Sequence, residues 1–330
     1  MKAIVCTKYG SPDVLKLTEV AKPIPKDNEI LIKIHATTVT SGDWRIRSLN
    51  MPQGFGLISR LVLGVSKPRQ PILGTELAGE VESVGKGVTK FKRGDRVFAF
   101  CGASMACHAE YKCLPEDGPV VLKPANLSYE EAAALSFGGT TALDFFRRGN
   151  LQQGEKVLIN GASGAVGTAA VQLAKHFGAE VTAVCSSANV ELVKSLGADR
   201  AIDYTQEDFT KNGETYDIIV DTVGTAPFSR SKGSLKERGR LLLVLGGLPE
   251  ILQIPWVSVT SSKKVIAGPA AERVEDLRFL AKLAEAGEFK PIIDRSYPFE
   301  QIAEAHRYVD TGRKKGNVAI SFDRSSDTAQ

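Results

Sequence analysis

The chain is poor in cysteine, in long apolar runs and in blocks of like charge. Five cysteines occur among 330 residues, with no CxxC pair, so a disulfide scaffold is not expected and a reducing compartment, the cytoplasm, is favoured. The longest apolar stretch, residues 241–259, is interrupted by glycine, proline and glutamate, which argues against a membrane span. Lysine and arginine are mostly dispersed and the net charge is +4. Neither a nucleic acid nor a membrane is therefore expected as a partner.

Two parts of the chain differ in hydrophobic periodicity, and a length of 330 residues suggests two domains. Up to about residue 122, short apolar runs are separated by Gly, Pro and Asp turns, which is typical of β-strands. After Leu127 strands and helices alternate, and Ser128 with Glu131 forms a capping box before an alanine-rich helix. Six strands are predicted in this second part, at residues 156–160, 180–185, 200–203, 217–221, 240–245 and 264–268.

This alternation predicts an α/β fold with a parallel sheet covered by helices on both faces. Six strands suit a doubly wound dinucleotide-binding sheet. The first strand is followed by Gly161 and then by residues 162–167, which read A-S-G-A-V-G. In a phosphate-binding turn Gly164 lets the backbone approach the pyrophosphate, and Gly167 lets the helix lie close to the strand.

A plain strand–turn–helix without a ligand would show a similar local pattern. The position of the turn at the start of a βαβαβ series favours a dinucleotide site. The residues predicted to form it are Gly161, Ala162, Ser163, Gly164, Ala165, Val166 and Gly167.

The end of the second predicted strand indicates which nucleotide is bound. An NAD site needs an acid about 20 residues after the glycines, whereas this chain has Ser186 and Ser187 and no acid within reach. A serine pair leaves room for a 2′-phosphate and donates to it, and Lys194 and Tyr204 could add donors. NADPH is therefore the predicted cofactor. The alternative interpretation of the serines is a helix N-cap.

Four stretches, residues 87–97, 160–179, 195–204 and 297–320, resemble the zinc-independent, quinone oxidoreductase-like branch of the medium-chain dehydrogenase/reductase superfamily. The resemblance implies a GroES-like catalytic domain formed by both chain ends and a Rossmann domain between them. It also implies a cofactor in the cleft and a homodimer or homotetramer. The expected boundaries are residues 1–122 for the GroES-like domain, 123–268 for the Rossmann NADP-binding domain and 269–330 for a segment that returns to the first.

Zinc-dependent relatives of this family use a cysteine shortly before an aspartate and a histidine in a Gly-His-Glu triplet. Thr40 and Ser41 stand at the first position and Thr75 at the second, and hydroxyl groups are not the ligands of tight zinc sites. No metal is therefore expected. Alcohol oxidation needs a Lewis acid, so the expected substrate is an acceptor activated by conjugation, a quinone or an α,β-unsaturated carbonyl, reduced by NADPH.

Candidate catalytic residues lie in the segment "SGDWRIRS". The family often has a tyrosine two residues after the aspartate, but Arg45 stands there. Asp43 and Arg47 match the family pattern and are expected to line the nicotinamide end of the cleft, the alternative being an intradomain salt bridge. Thr141 matches a nicotinamide-contacting position, and Asn317 replaces a lysine that commonly flanks the cofactor. The remaining candidate cofactor residues are Gly224 and Gly246.

Two other functions stay open on the sequence alone. A 2-enoyl thioester reductase resembles this chain in fold but relies on a tyrosine near the nicotinamide, which the segment above lacks. A NADPH-binding sensor or partner protein would keep the glycine-rich turn with little catalysis. Residues 50–71, which are longer and more apolar than a simple turn, are expected to cover the substrate mouth and to set which acceptor fits.

Overall fold

A computed structural model describes residues 1–322 of the chain, and fifteen β-strands lie within them. The strands are β1 (Lys2–Cys6), β2 (Leu15–Glu19), β3 (Glu29–Thr38), β4 (Glu76–Val84), β5 (Arg96–Phe100), β6 (Tyr111–Pro115), β7 (Val120–Leu122), β8 (Lys156–Asn160), β9 (Glu180–Cys185), β10 (Arg200–Asp203), β11 (Tyr216–Asp221), β12 (Leu235–Leu243), β13 (Lys264–Ala267), β14 (Ile293–Pro298) and β15 (Asn317–Ser321).

Ten α-helices lie within the same described residues. They are α1 (Ser41–Ser48), α2 (Gly56–Leu63), α3 (Tyr129–Ala133), α4 (Ser136–Gly149), α5 (Ala165–His176), α6 (Val190–Ser195), α7 (Phe228–Ser231), α8 (Leu248–Thr260), α9 (Val274–Glu285) and α10 (Ile302–Asp310). Short 3-10 turns add Pro12–Val14, Gly102–Ser104, Ser187–Asn189, Lys232–Ser234 and Phe299–Gln301. Among residues 1–322, no helix has the length and apolar character needed to cross a membrane.

Two units divide the chain. Unit 1 contains residues 1–51, residues 57–137 and the described residues from 272 onward, and unit 2 contains residues 52–56 and 138–271. The predicted boundaries follow residues 122 and 268, whereas the structure divides the chain after 137 and 271. The first boundary moves because α3 packs on β3 and β4 of unit 1.

Unit 2 contains a six-stranded sheet in the order β10-β9-β8-β11-β12-β13, and all its pairs are parallel. The predicted parallel sheet is therefore confirmed. The apolar residues of β8 are all buried, as expected for a strand covered on both faces. The helix α5 is also deeply buried, with nine of its 12 residues inside. This sheet brings the carboxyl ends of its strands to one edge, where such folds bind nucleotides.

Unit 1 contains a seven-stranded sheet in the order β14-β15-β3-β4-β5-β7, with β6 also paired to β3. Its pairs are antiparallel except β14 with β15. β15 pairs with β3, so the last described strand completes a sheet that begins near the amino terminus. Residues 323–330 of the expected returning segment lie outside the described residues.

The helices α2 and α8 lie in segments for which the sequence analysis predicted no helix. α2 falls within residues 50–71, and α8 begins inside the apolar stretch 241–259 and ends one residue beyond it. Both leave large apolar side chains in solvent, which are Leu57, Ile58, Leu61 and Val62 on α2 and Leu252, Trp256 and Val259 on α8.

Candidate functional site

The glycine-rich turn of unit 2 joins β8 to α5. Gly161 has a φ of +80°, and the N–H groups of Gly161 and Ala162 donate to the carbonyl oxygen of Val184 in β9 at 3.1 and 3.0 Å. Gly164 is the N-cap of α5, and no side chain of the described chain caps that helix. A helix start leaves its first N–H groups without an intrahelical partner, and such groups bind phosphate. In α5 they belong to Ala165, Val166 and Gly167.

Two glycines of this turn have opposite surroundings. A Cβ on Gly167 would lie 2.2 Å from the carbonyl oxygen of Gly161, so Gly167 permits close packing of α5 against the turn. A Cβ on Gly164 would meet nothing nearer than that same oxygen, at 3.7 Å. Open space therefore lies in front of an uncapped helix start, and the turn fits the pyrophosphate of a dinucleotide.

Asn189 connects this turn to the serine pair. Its Nδ2 donates to Ser163 Oγ at 3.1 Å and to Ser186 Oγ at 3.2 Å. Its Oδ1 is buried and has no hydrogen-bond partner within residues 1–322. A buried acceptor without a partner costs about 1–3 kcal/mol, so this atom fits a hydroxyl donor of a bound nucleotide. Asn189 is not among the residues predicted from sequence, because it lies outside the glycine-rich turn and contacts Ser163 across 26 residues of chain.

The prediction that no acid lies within reach of the serines is wrong. Asp203 pairs with Cys185 at the end of β9, and its carboxylate accepts a hydrogen bond from Ser187. That bond, together with donors from Thr205 and Gln206, lowers the pKa of Asp203. An ionised carboxylate therefore lies beside the serine pair, and its charge is shared among several donors.

Lys194 and Tyr204, the other predicted 2′-phosphate donors, both lie on the surface of unit 2. Lys194 lies on α6 with its Nζ 3.8 Å from Glu191 Oε1. The side chain of Tyr204 is 63% exposed, and its N–H donates to the carbonyl oxygen of Cys185 at 3.0 Å. The backbone of Tyr204 therefore lies beside the end of β9, which Ser186 and Ser187 follow.

The carboxyl ends of β11 and β12 border a cavity of about 160 Å³ within unit 2. Gly224 lines it with a φ of +76°, and Gly246 lies between the lining residues Leu245 and Gly247. Asp221 accepts from the N–H groups of the loop that contains Gly224 and so fixes the cavity wall. Both predicted glycines thus lie at the same edge of the sheet as the glycine-rich turn that follows β8.

Asp43 is fully buried at the first turn of α1 in unit 1. Its Oδ2 accepts from the N–H of Thr40 at 2.8 Å and from the Thr40 hydroxyl at 2.6 Å. Its Oδ1 accepts from the N–H of Gly74 at 2.9 Å. The carboxylate therefore caps α1 and holds a neighbouring loop. These contacts favour a structural role over the predicted lining of the nicotinamide site.

Arg45 and Arg47 differ in exposure. Arg47 has no exposed surface and forms an ion pair with Asp310 of α10, which is the intradomain salt bridge of the alternative interpretation. Arg45 is half-buried, lies 4.8 Å from the ring of Trp44 and donates to the carbonyl oxygen of Asn50 at 2.9 Å. Of the two arginines, only Arg45 keeps surface for a ligand.

Thr141 and Asn317, two further predicted cofactor contacts, are buried. Thr141 lies inside α4. Asn317 begins β15, and both its N–H and its Nδ2 donate to the carbonyl oxygen of Ile292, at 2.7 and 3.1 Å. The backbone and side-chain amides of Asn317 therefore hold the start of β15 in the sheet of unit 1, and its contact with the cofactor stays a prediction.

Hydroxyl side chains occupy the positions that correspond to zinc ligands. Thr40 is the N-cap of α1, Ser41 begins that helix, and Thr75 is buried just before β4. Within residues 1–322, no group of three or more His, Cys, Asp or Glu residues is arranged to hold a metal. Without thiolate or imidazole ligands, these positions do not fit a zinc ion.

A buried acid and a lysine, neither predicted, lie close to these positions. Glu76 has no exposed surface and accepts from the Thr38 hydroxyl and from the N–H of Phe137 at 2.6 Å. Burial raises the pKa of Glu76 to about 8. Burial lowers the pKa of Lys314 to about 8. The Nζ of Lys314 donates to the carbonyl oxygen of Gly316 at 2.6 Å. At neutral pH the carboxyl is therefore mostly neutral and the amine mostly charged.

Two histidines meet in the core of unit 1. The rings of His108 and His306 lie edge to face with centroids 5.8 Å apart. His108 Nε2 bonds the carbonyl oxygen of Thr38 at 2.9 Å, whereas His108 Nδ1 and both ring nitrogens of His306 have no partner in the described chain. Burial lowers the pKa of both rings; His108 and Arg47 lower that of His306 further, and Asp43 opposes the shift at His108.

We expect the buried His306 to make the stability of unit 1 fall as the pH drops below about 6.5, the ordinary pKa of histidine, although the raised pKa of Glu76 gives a slope of opposite sign over the same range. The pKa of His306 in the folded state lies well below that value, so the unfolded chain binds a proton first. The stabilisation is therefore complete above the unfolded pKa and is lost with falling pH, by about 1.4 kcal/mol per pH unit for one group. Urea unfolding followed by circular dichroism between about pH 8 and about pH 5 measures this slope.

His306→Phe should flatten the slope, because it removes the group that is neutral when folded. His176→Gln is the matched control, since His176 is exposed on α5. Equal slopes in His306→Phe and the unsubstituted protein would contradict the assignment.

Two family models match the chain. Residues 26–134 match the alcohol dehydrogenase GroES-like domain, and residues 196–320 match the zinc-binding dehydrogenase family. The first match covers most of the sheet of unit 1, and the second runs from unit 2 to β15.

Individual relatives match almost the whole chain. The 2-methylene-furan-3-one reductase of Solanum lycopersicum is 35% identical over 97% of this chain and 79% of its own length. The chloroplastic NADPH-dependent alkenal/one oxidoreductase of Arabidopsis thaliana is 31% identical, again over 97% of this chain and 79% of its own length. Among solved structures, the quinone oxidoreductase of Coxiella burnetii superposes with a TM-score of 0.86 at 30% identity, covering 98% of this chain and 99% of its own.

Proposed function

The chain belongs to the quinone oxidoreductase-like branch of the medium-chain dehydrogenase/reductase superfamily, and on that premise we propose that it transfers a hydride from NADPH to a quinone or an α,β-unsaturated carbonyl. The observation that carries this proposal is the uncapped start of α5 with open space at Gly164. Bound there, the nucleotide supplies the hydride. The N–H groups of the first turn of α5 hold its pyrophosphate.

A pyridine nucleotide is the cofactor class of this family, and we propose NADPH as the preferred member. The Ser186 hydroxyl is fixed by Asn189 and keeps its own hydrogen for a 2′-phosphate. The carboxylate of Asp203 is occupied by donors from Ser187 and Thr205, which reduces its repulsion of that phosphate. An Arabidopsis thaliana relative is itself named NADPH-dependent, in line with this preference.

We further propose that the reaction needs no metal. Thr40, Ser41 and Thr75 stand at the ligand positions of zinc-dependent relatives, and their hydroxyl groups do not fit zinc. Alcohol oxidation needs a Lewis acid to stabilise an alkoxide, whereas hydride transfer to a conjugated acceptor forms no alkoxide. A metal-free reaction and the choice of a quinone or α,β-unsaturated carbonyl therefore support each other.

The test follows NADPH absorbance while an ortho-quinone or, separately, a 2-alkenal is added. We expect turnover with NADPH, at least about tenfold less with NADH, and no loss after dialysis against EDTA, because residues 1–322 contain no ligand set for a catalytic zinc. Loss of activity on chelation that zinc restores would contradict the metal-free proposal. Saturable NADPH binding without turnover of either acceptor would replace the reductase by a binding or sensing role.

We propose a homodimer or homotetramer in a reducing compartment such as the cytoplasm. β13 is an edge strand of the unit 2 sheet, and the adjoining α8 exposes Leu252, Trp256 and Val259, so this side has backbone and apolar groups to pair with a second copy. The five cysteines are free thiols. Light scattering of the purified chain tests the oligomer, and a monomeric mass would reject it.

A further inference from the structure

One stretch of the chain has an unbalanced charge. Between Asp43 and Glu76 the sequence contains five basic residues and no aspartate or glutamate. Arg47 is buried against Asp310, but Arg60, Lys67 and Arg69 are exposed. Within residues 1–322 none of these three is paired with an acid. A local positive surface thus remains at α2, although basic residues are otherwise dispersed.

The same segment exposes apolar side chains. None of the residues of α2 is buried, and Leu57, Leu61, Val62 and the following Val65 are 73%, 60%, 63% and 66% exposed. The spacing of Leu57, Leu61 and Val62 puts them on one side of the helix, and Val65 follows just after the helix ends at Leu63. We call this set, with Arg60, Lys67 and Arg69, the α2 face.

Backbone contacts hold the basic groups beside the apolar ones. Arg60 Nη1 donates to the carbonyl oxygen of Val65 at 2.8 Å, and Arg69 Nη2 donates to that of Leu61 at 2.9 Å. The Tyr9 hydroxyl donates to the carbonyl oxygen of Gly64 at 2.8 Å, which ties the end of α2 to the body of unit 1. The α2 face is therefore an anchored element of the fold with cations at one end.

We propose that the α2 face is a docking surface for an anionic lipid bilayer. The apolar side chains enter the headgroup boundary, and Arg60, Lys67 and Arg69 contact lipid phosphates, which is how short amphipathic helices bind in the plane of a membrane. A helix of eight residues is about 12 Å long, too short to cross the hydrocarbon core. This proposal replaces the expectation, drawn from overall charge dispersion, that no membrane is a partner.

A second copy of the chain is the other occupant that an apolar face suggests, and the charge argues against it. A two-fold interface would use the α2 face twice, so the basic residues of one copy would meet a patch that carries the same positive charge and no aspartate or glutamate. Like charges across an interface oppose association. An anionic bilayer, by contrast, neutralises them.

Co-sedimentation of the full chain with lipid vesicles tests the proposal. The vesicles are phosphatidylcholine alone or phosphatidylcholine mixed with phosphatidylglycerol, each at low and at high salt. We expect the protein to pellet with the mixed vesicles and to be released by salt, because the attraction is screened within about 10 Å at 0.1 M salt. A protein that stays in the supernatant with the mixed vesicles at low salt overturns the proposal.

Leu61→Glu should reduce binding to the mixed vesicles by at least about tenfold, since an apolar side chain is replaced by an anion at the centre of the α2 face. Ile24→Glu makes the same charge change at a side chain that is 87% exposed elsewhere in unit 1 and should bind as the unsubstituted protein does. Equal binding by the two variants overturns the proposal. So does a Leu61→Glu protein that binds vesicles normally but has a lower mass by light scattering, since the face would then join copies of the chain.

Discussion

Gly164→Asp is expected to weaken NADPH binding about a thousandfold while the protein keeps its thermal stability. The backbone of Gly164, with a φ of −80° and a ψ of 178°, suits an aspartate at the N-cap of α5, and aspartate is among the preferred N-cap residues. The same place holds the pyrophosphate in our proposal. Two unit charges about 4 Å apart repel by about 4 kcal/mol at an effective dielectric constant of about 20, which is about a thousandfold in affinity.

Two variants separate charge from shape at this helix start. Gly164→Asn also caps the helix but carries no charge, so it should lose less affinity for NADPH than Gly164→Asp. Gly167→Ala forces a Cβ to 2.2 Å from the carbonyl oxygen of Gly161 and should lower the free energy of unfolding by about 1–3 kcal/mol. Fluorescence titration with NADPH and thermal unfolding measure the two effects. Unchanged NADPH affinity in Gly164→Asp would contradict the proposal that the pyrophosphate binds at the start of α5.

The sheet of unit 2 could be predicted because its signals are local. The strands β8, β9 and β10 begin and end where the apolar runs do, and the capping box of Ser128 and Glu131 is present as expected. β12 starts earlier than predicted, at Leu235, because its first residue pairs with Tyr216 of β11 across a register shift. Pairing with another strand is invisible in a window of sequence.

The helices α2 and α8 escaped prediction for a different reason. Helical periodicity is recognised over a window of about 11–18 residues. The eight residues of α2 are too few to fill that window, and α8 is apolar on most sides. α8 also contains Pro255, a residue that usually marks the end of a helix.

Some residues of the candidate site could be predicted from local sequence, and others are brought together only by the fold. The glycines from Gly161 to Gly167 could be identified because the turn is contiguous in sequence. Asp203 reaches Ser187 only because β10 pairs with β9, and Arg47 meets Asp310 at a separation of 263 residues. The matching of Asp43 and Arg47 to a family pattern gave no indication that both are buried.

Ser186→Asp is expected to lower kcat/KM for NADPH by about a hundredfold and to leave that for NADH within about threefold, because only NADPH brings a 2′-phosphate against the new carboxylate. The substitution keeps an acceptor for Asn189 Nδ2, which now bonds Ser186 Oγ, so the turn should stay in place. Ser186→Asn is the neutral control. Steady-state kinetics with both nucleotides and one acceptor give the two ratios, and an equal loss for NADPH and NADH would show that Ser186 does not face the 2′ position.

Asp203→Asn decides between two roles for the acid that lies beside the serines. If the carboxylate only repels the 2′-phosphate, its neutral isostere should bind NADPH a few times more tightly, since the charge of Asp203 is already shared with Ser187 and Thr205. If it accepts hydrogen bonds from the adenosine ribose of NADH, Asp203→Asn should instead weaken NADH by about tenfold and leave NADPH nearly unchanged. We expect the first result, because the donors of Ser187 and Thr205 occupy the carboxylate that a ribose would need. The second result would make this chain an NADH-using member of its family, even if the Gly164 variants behave as predicted.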